Sequence, residues 1–171
     1  MNAVFAPIVF GWRKIMNSQA IEDLNTLLKT ELSAIETYNK ALAKFQNKDK
    51  GTVLCECQES HVERANKLRA AITKLNGEPI SKIGIGAKLA KLIMDGAKSV
   101  GDSAIIMALQ ADEEQWSADY EWCLVSMHGD HRLLVKDDLL PAQQLTDEKL
   151  RELANAVTKG LFPATPGTKD I

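Results

Sequence analysis

The chain has 171 residues and a mass of 18.8 kDa, which is the size of one domain and too small for two ordinary ones. Apolar residues make up 45% and charged residues 26%, as in a soluble globular protein. A formal charge of -2 does not favour nucleic acid as a partner. Its 3 cysteines are too few for a disulfide framework and indicate buried thiols in a reducing cytoplasm. No apolar run approaches the ~20 residues that span a bilayer, so we expect no membrane partner.

The first residues do not resemble a secretory signal peptide. Their apolar patch runs from Ala3 to Phe10 and is followed by Arg13 and Lys14, whereas a signal peptide has its positive charge first. We therefore expect residues 1–17 to form an N-terminal tail and residues 18–160 to form one bundle domain. Residues 161–171 are expected to form a C-terminal tail.

The glycines divide the chain into four long blocks rich in Ala and Leu, two residue types that favour helix. Between the blocks lie NKDKG, NGEP and HGD, which are typical of turns and caps. The pattern predicts helices at 18–46, 52–76, 102–128 and 130–159. Pro141 removes a backbone hydrogen bond in the last of them, which predicts a bend or break near Asp137.

Residues 77–101 join the second and third predicted helices and contain the amphipathic stretch IGIGAKLAKLIMDGAKSVG. Ile85, Leu89, Leu92 and Ile93 lie on one side of this stretch if it is helical. It predicts a short crossover helix packed on the bundle. A helix lying on a membrane surface is the alternative interpretation.

Each block carries apolar residues at spacings of four and three, which predicts one face packed in an all-α bundle. The polar exceptions repeat between the two halves of the chain. Glu is followed seven residues later by Tyr in helices one and three, and Gln is followed three residues later by His or Thr in helices two and four. The pairs are Glu31 with Tyr38, Glu113 with Tyr120, Gln58 with His61, and Gln143 with Thr146.

Glu31, Glu113 and His61 are the strongest candidates for a functional site. A carboxylate inside a bundle costs several kcal/mol unless it is protonated, paired or bound to a metal. Two carboxylates and an imidazole form a ligand set for iron, manganese or zinc. Alternatively, the carboxylates are solvated or share a proton and His61 is a satisfied core histidine. The predicted helix bounds also place His61 roughly 6–9 Å from the level of Glu31.

Five segments resemble the bacterial domain-of-unknown-function 2383 family of the ferritin-like superfamily, over residues 21–153. In order they are ELSAIETY, SHVERANKLR, LNGEP, GAKLAKLIMDGAKSVGD and DLLPAQQ. The resemblance implies a ferritin-like antiparallel four-helix bundle with a long crossover between helices two and three. It implies no settled activity.

Ferritin-like di-iron sites take Glu from two helices and Glu-x-x-His from the other two. The resemblance therefore assigns Glu31 and Glu113 to the single carboxylates and His61 to one histidine. Gln58 and Gln143 stand in place of the other two carboxylates, and Thr146 stands in place of the second histidine. With two carboxylates, we expect one divalent ion, Fe or Mn, or none. The expected metal residues are Glu31, His61, Glu113, Gln58 and Gln143.

Two functions follow from these expectations. The first is a ferritin-like protein that binds one metal ion at a reduced carboxylate and histidine site. The second is a metal-free helical bundle that acts by contact, as a stress-related interaction protein, a structural protein or a homo-oligomer.

Overall fold

The computed structural model describes residues 5–45, 48–81, 90–91 and 101–160, and the side chains of 17–45, 51–81, 90–91 and 101–160. Over these ranges the chain is helical apart from turns and connections, and it has no β-strand. The helices are α1 (Phe5–Leu42), α2 (Lys48–Lys74), α3 (Asp102–Ser126), α4 (Asp130–Leu134) and α5 (Leu140–Thr158). A π-helical segment, Val135–Leu139, joins α4 to α5, so the three run on as one irregular helix.

The helices form an antiparallel four-helix bundle, which confirms the predicted fold class. α1 packs along α2, and α3 packs along α5, so that the chain forms two helical hairpins. Contacts of α1 with α3 and of α2 with α5 join the hairpins. Ala90 and Lys91 of the predicted crossover are helical. Residues 77–81 and 101, at the two ends of the predicted joiner, are not helical. Its remaining residues and the expected C-terminal tail lie outside the described residues.

The predicted start of the first helix at residue 18 is wrong, because α1 begins at Phe5. Pro7 does not prevent this, since a proline is tolerated in the first turn, where its missing N–H has no partner in any case. The second helix begins at Lys48 and not at 52, with Gly51 inside it. The other ends lie within four residues of their predicted positions. Whether residues 1–17 contribute to the core stays a prediction, because their side chains up to residue 16 lie outside the described set.

The break predicted near Asp137 is absent, and a π-helical segment occurs there instead. Pro141 has no N–H, and its ring crowds the carbonyl of Asp137 four residues earlier. The chain responds with a wider turn, in which the N–H of Leu140 donates to the carbonyl of Val135 five residues earlier. The helix therefore continues through the proline as a π-helical segment and does not stop there.

The bundle interior contains two apolar clusters. The first cluster includes Tyr38 and Trp116 and lies along the C-terminal half of α1. The second cluster includes Tyr120 and lies around Leu24 and Leu28 of α1. Polar side chains from all four sides of the bundle lie between the two clusters, and Tyr38 and Tyr120 lie at the edges of this polar layer. No helix in the described ranges is long and apolar enough to cross a membrane.

Candidate functional site

Four of the five predicted metal residues meet in the middle of the bundle. Glu31 on α1, His61 on α2, Glu113 on α3 and Gln143 on α5 have no exposed surface. The predicted offset between Glu31 and His61 is absent. Because α1 ends at Leu42 and α2 begins at Lys48, both residues lie at similar distances from the turn that connects the helices.

Gln58 does not join this group. Its amide Nε2 donates to Oδ1 of Asn39 at 2.8 Å and lies 3.5 Å from the carbonyl of Ile35. It is half-buried, one helical turn before His61 on the outer side of the α1–α2 hairpin. Its amide therefore contributes to the contact between the two helices.

The His61 imidazole bridges the two carboxylates. Nδ1 lies 2.8 Å from Oε2 of Glu31, and Nε2 lies 2.9 Å from Oε1 of Glu113. Both ring nitrogens therefore lie within hydrogen-bond distance of a carboxylate oxygen, and a nitrogen that carries a proton donates to it. Two aromatic rings enclose the imidazole: Tyr38 at 5.3 Å and Trp116, edge-on, at 5.4 Å between ring centroids.

Arg64 lies in the same polar group and was missed in the sequence. Its side chain is 1% exposed, and its Nε donates to Oε1 of Glu31 at 2.9 Å. Nη2 donates to Oε1 of Gln143 at 2.7 Å and lies as close to Nδ1 of His61. Nη1 donates to Oγ of Ser60 at 2.7 Å. A residue three positions after an inward histidine shares its side of a helix, and that spacing is the signal the sequence offered.

Thr146 leaves room for this guanidinium. Its hydroxyl lies 3.3 Å from Nη1 of Arg64 and donates to the carbonyl of Ala142 at 3.0 Å. The family resemblance places a histidine at this position. The smaller threonine side chain gives the Arg64 head group space between α2 and α5.

The two tyrosines complete the group and link the hairpins. Tyr38 donates to Oε1 of Glu113 at 2.6 Å, and Tyr120 donates to Oε1 of Glu31 at 2.5 Å. Gln143 donates from Nε2 to Oε2 of Glu113 at 2.7 Å. Each of the four carboxylate oxygens therefore accepts at least one hydrogen bond from a protein donor. We call the residues that make these contacts the polar core: Glu31, Tyr38, His61, Arg64, Glu113, Tyr120, Gln143 and Thr146.

The charges of the polar core balance one another. Burial opposes ionisation of Glu31, but His61 and Arg64 outweigh it and hold the pKa of Glu31 below its ordinary value. Burial likewise opposes protonation of His61, and the two neighbouring carboxylates outweigh it, so that the pKa of His61 is raised. The two carboxylates, the Arg64 guanidinium and the protonated form of His61 carry formal charges that sum to zero.

The tyrosine hydroxyls stay protonated in this setting. Burial and the neighbouring Glu113 carboxylate raise the pKa of Tyr38 well above its ordinary value. Burial and Glu31 do the same for the pKa of Tyr120. Both phenols therefore act as hydrogen-bond donors throughout the physiological range of pH.

In this arrangement the donor set does not fit a metal ion. A histidine ligand needs a nitrogen without a proton, yet both nitrogens of His61 face carboxylate oxygens. A metal ion would also have to compete with the protein donors that already contact the oxygens of Glu31 and Glu113. The Arg64 guanidinium also contacts Glu31, His61 and Gln143, which are three of the four converging candidates. Among the described residues, no three or more His, Cys, Asp or Glu side chains are arranged to hold a metal. The ligand assignment itself stays a prediction.

The three cysteines differ in their exposure to solvent. Cys57 and Cys123 are buried, as expected, whereas the expectation of a buried thiol is wrong for Cys55, which is exposed. Burial and the neighbouring Glu113 raise the pKa of Cys57 to about 12. Burial, with Asp23 nearby, raises the pKa of Cys123 to about 11.

Two solved structures share the fold. One is a two-domain protein from Anabaena variabilis containing DJ-1/ThiJ/PfpI-like and ferritin-like domains, with a TM-score of 0.69 and 16% identity. The match covers 91% of this chain and 42% of that one, so this chain spans less than half of its length. The other is Dps from Thermosynechococcus elongatus, with a TM-score of 0.56, 10% identity, and 92% and 99% of the two chains covered.

These structural matches establish the ferritin-like fold. A comparison with curated proteins finds no match to this chain. Residues 19–125, more than half of the chain, match the family described as "Domain of unknown function (DUF2383)". The chain therefore belongs to the DUF2383 family and has the ferritin-like fold.

Proposed function

We propose that this protein is a metal-free ferritin-like bundle that acts by contact, as a structural or interaction protein, without redox chemistry in its core. The observation that carries the proposal is the position of Arg64. Its guanidinium lies among Glu31, His61 and Gln143 and donates to the side-chain oxygens of Glu31 and Gln143. The polar core thus supplies its own positive charges.

The hydrogen bonding of the polar core supports the proposal. Among the described side chains, the buried nitrogen and oxygen atoms without a partner are Asp23 Oδ2 and Gln110 Oε1, and neither belongs to the polar core. A divalent ion placed ~5 Å from the Arg64 guanidinium would meet a repulsion of several kcal/mol. It would also displace donors from Glu31 and Glu113. The polar core is therefore better suited to holding the hairpins together than to binding a cation.

The surface supports action by contact. Trp122 and Val125 are one turn apart on α3 and are 73% and 84% exposed. Large apolar side chains that are adjacent and this exposed are typical of surfaces that bind a partner. We propose that the surface of α3 at Trp122 and Val125 serves protein association, including self-association into a homo-oligomer.

A second candidate function is binding of one Fe or Mn ion. The convergence of Glu31, His61, Glu113 and Gln143 favours it, because these side chains come from four different helical segments and meet at one level. For such binding, Arg64 must withdraw from its present contacts. The two candidates thus differ in what Arg64 does.

Anaerobic calorimetric titration with ferrous iron, repeated with Mn(II), separates the two candidates. We expect no stoichiometric binding to the unmodified chain. We expect Arg64→Ala to gain one site, because the variant leaves two carboxylates facing a single imidazole. Glu113→Ala and Glu114→Ala form the matched pair, since Glu113 is buried and Glu114 is exposed. If the unmodified chain binds one ion and loses it in Glu113→Ala alone, the second candidate replaces the first.

A further inference from the structure

An open groove lies between the C-terminal half of α2 and α4. It has a volume of about 570 Å³ and is lined by apolar side chains with charged residues at its rim. The apolar lining consists of Ala70, Ala71, Leu75 and Leu134. Ala71, Leu75 and Leu134 also pack against the core cluster beneath. The groove therefore has a firm apolar floor that faces outward.

The first helix extends past the end of the bundle at which this groove opens. Ile21 packs against Gly77, which follows the end of α2 at Lys74. Asp23 is close enough to His131, at the groove, to influence its pKa. Because α1 begins at Phe5, about 16 residues precede this level, and at 1.5 Å per residue they extend roughly 24 Å.

The sequence of this extension suits an apolar groove. Residues 5–16 read FAPIVFGWRKIM, and no acidic residue precedes Glu22. Its two charges, Arg13 and Lys14, are both positive. At the rim of the groove, Asp130 makes no salt bridge within the described part of the chain, and Asp138 pairs with Lys67 at 2.7 Å. The rim also carries Lys74 and is formally neutral overall, and Asp130 is the carboxylate that it offers to Arg13 or Lys14.

The extension cannot reach the groove of its own chain. α1 is one unbroken helix from Phe5 to Leu42, so residues 5–16 lead away from the bundle. Twelve helical residues measure ~18 Å, and the groove follows α2 from Lys67 to Leu75 for ~12 Å. The lengths match well enough for one segment to cover the groove of another molecule.

We propose that residues 5–16 of one copy of this chain dock in the groove between α2 and α4 of a second copy. Because both features occur on every chain, the exchange is reciprocal and closes as a two-fold dimer. The contact is of the helix-in-groove type, with apolar anchors set by the helical repeat. This inference is independent of whether the polar core binds a metal ion.

Sedimentation equilibrium of the full chain tests the proposal, with circular dichroism to confirm that each variant is folded. We expect the unmodified chain to be a dimer at ~100 µM. Trp12→Glu in the extension and Ala70→Glu in the groove should each weaken the dimer by about tenfold or more. Leu145→Glu is the matched control, because Leu145 is 55% exposed on α5 and lies outside the groove. It should leave the dimer intact.

Mixing the two disrupted variants adds a test that a general loss of stability would not pass. Trp12→Glu keeps an intact groove and Ala70→Glu keeps an intact extension, so the mixture should form more dimer than either variant alone. A monomeric unmodified chain, or variants that dimerise as tightly as it does, would overturn the proposal. So would a monomer that instead sediments with phosphatidylcholine vesicles in a manner that depends on Trp12.

Discussion

The Tyr120 hydroxyl on α3 donates to Oε1 of Glu31 on α1, 89 residues earlier in the chain, across 2.5 Å. The mirror contact joins Tyr38 on α1 to Glu113 on α3 at 2.6 Å. Each tyrosine thus pairs with the glutamate of the other hairpin. These two bonds tie the hairpins together at the level of the polar core.

Removing either tyrosine hydroxyl should destabilise the bundle. Tyr120→Phe and Tyr38→Phe each leave a buried carboxylate oxygen with one donor fewer, at a cost of about 1–3 kcal/mol in the free energy of unfolding. Urea denaturation measures this cost. Trp122→Phe, on the exposed outer face of α3, is the control and should change stability by less than about 0.5 kcal/mol. An effect of the tyrosine variants no larger than that of the control would contradict the assigned role.

The sequence contained enough to predict the fold and most of the polar core. The repeat of Glu and Tyr at a spacing of seven identified both the helices and their inward faces. In antiparallel helices, equal spacing brings the tyrosine of one helix opposite the glutamate of the other. This crossing follows from the topology and was within reach of sequence reasoning.

The spacing of apolar residues does not identify Arg64 as buried. The inward-facing row of α2 residues at spacings of four and three passes from His61 to Ala65, so Arg64 lies beside this row and resembles a residue of the solvated face. Two buried carboxylates nevertheless require compensating charge, and the nearest cation on the same side of α2 is Arg64. Counting charge across the core, in addition to apolar spacing, was the step that would have found it.

Arg64→Met should be among the most destabilising substitutions in the protein. It leaves Glu31 and Glu113 buried with a single cation between them, and breaking a buried pair in this way costs about 3–5 kcal/mol. Lys67→Met removes an exposed partner of Asp138 and should cost no more than about 1 kcal/mol.

A double variant separates charge from packing at Arg64. Adding Glu31→Gln to Arg64→Met removes the carboxylate that the arginine faces and should recover part of the lost stability. Thermal and urea unfolding of the four chains provide the double-mutant cycle. If the two substitutions were additive, the attraction between Arg64 and Glu31 would not be the source of the effect.

The stability of the protein should pass through a maximum in mildly acidic solution. Folding raises the pKa of His61, so its contribution is complete below its unfolded value of ~6.5 and is lost as the pH rises toward the folded value. Folding lowers the pKa of Glu31, whose contribution is complete above ~4.3 and is lost as the pH falls. The contribution of both groups is therefore greatest between about pH 4.3 and 6.5.

Histidine variants assign the alkaline side of this maximum. His61→Gln should flatten the decline of unfolding free energy above ~6.5, because the group that loses its proton is gone. His128→Gln, at an exposed position after α3, should leave the decline unchanged. Equal pH profiles for His61→Gln and the unmodified chain would mean that His61 does not carry the charge assigned to it.

The three thiols should react in two distinct classes. Nucleophilic attack needs the thiolate, and the pKa values of about 12 for Cys57 and about 11 for Cys123 leave almost none near pH 8. Both side chains are also buried, whereas Cys55 is exposed on α2. An aromatic disulfide reagent at about pH 8 should therefore label one thiol per chain quickly. Cys55→Ser should abolish that fast phase, while Cys57→Ser and Cys123→Ser should preserve it.

Arg64→Met should make Cys57 and Cys123 react quickly only in the fraction of molecules that is unfolded. Urea titration of the same samples measures that fraction. Fast labelling of Cys57 in the folded chain would show that the interior beside Tyr38 opens more readily than its packing indicates.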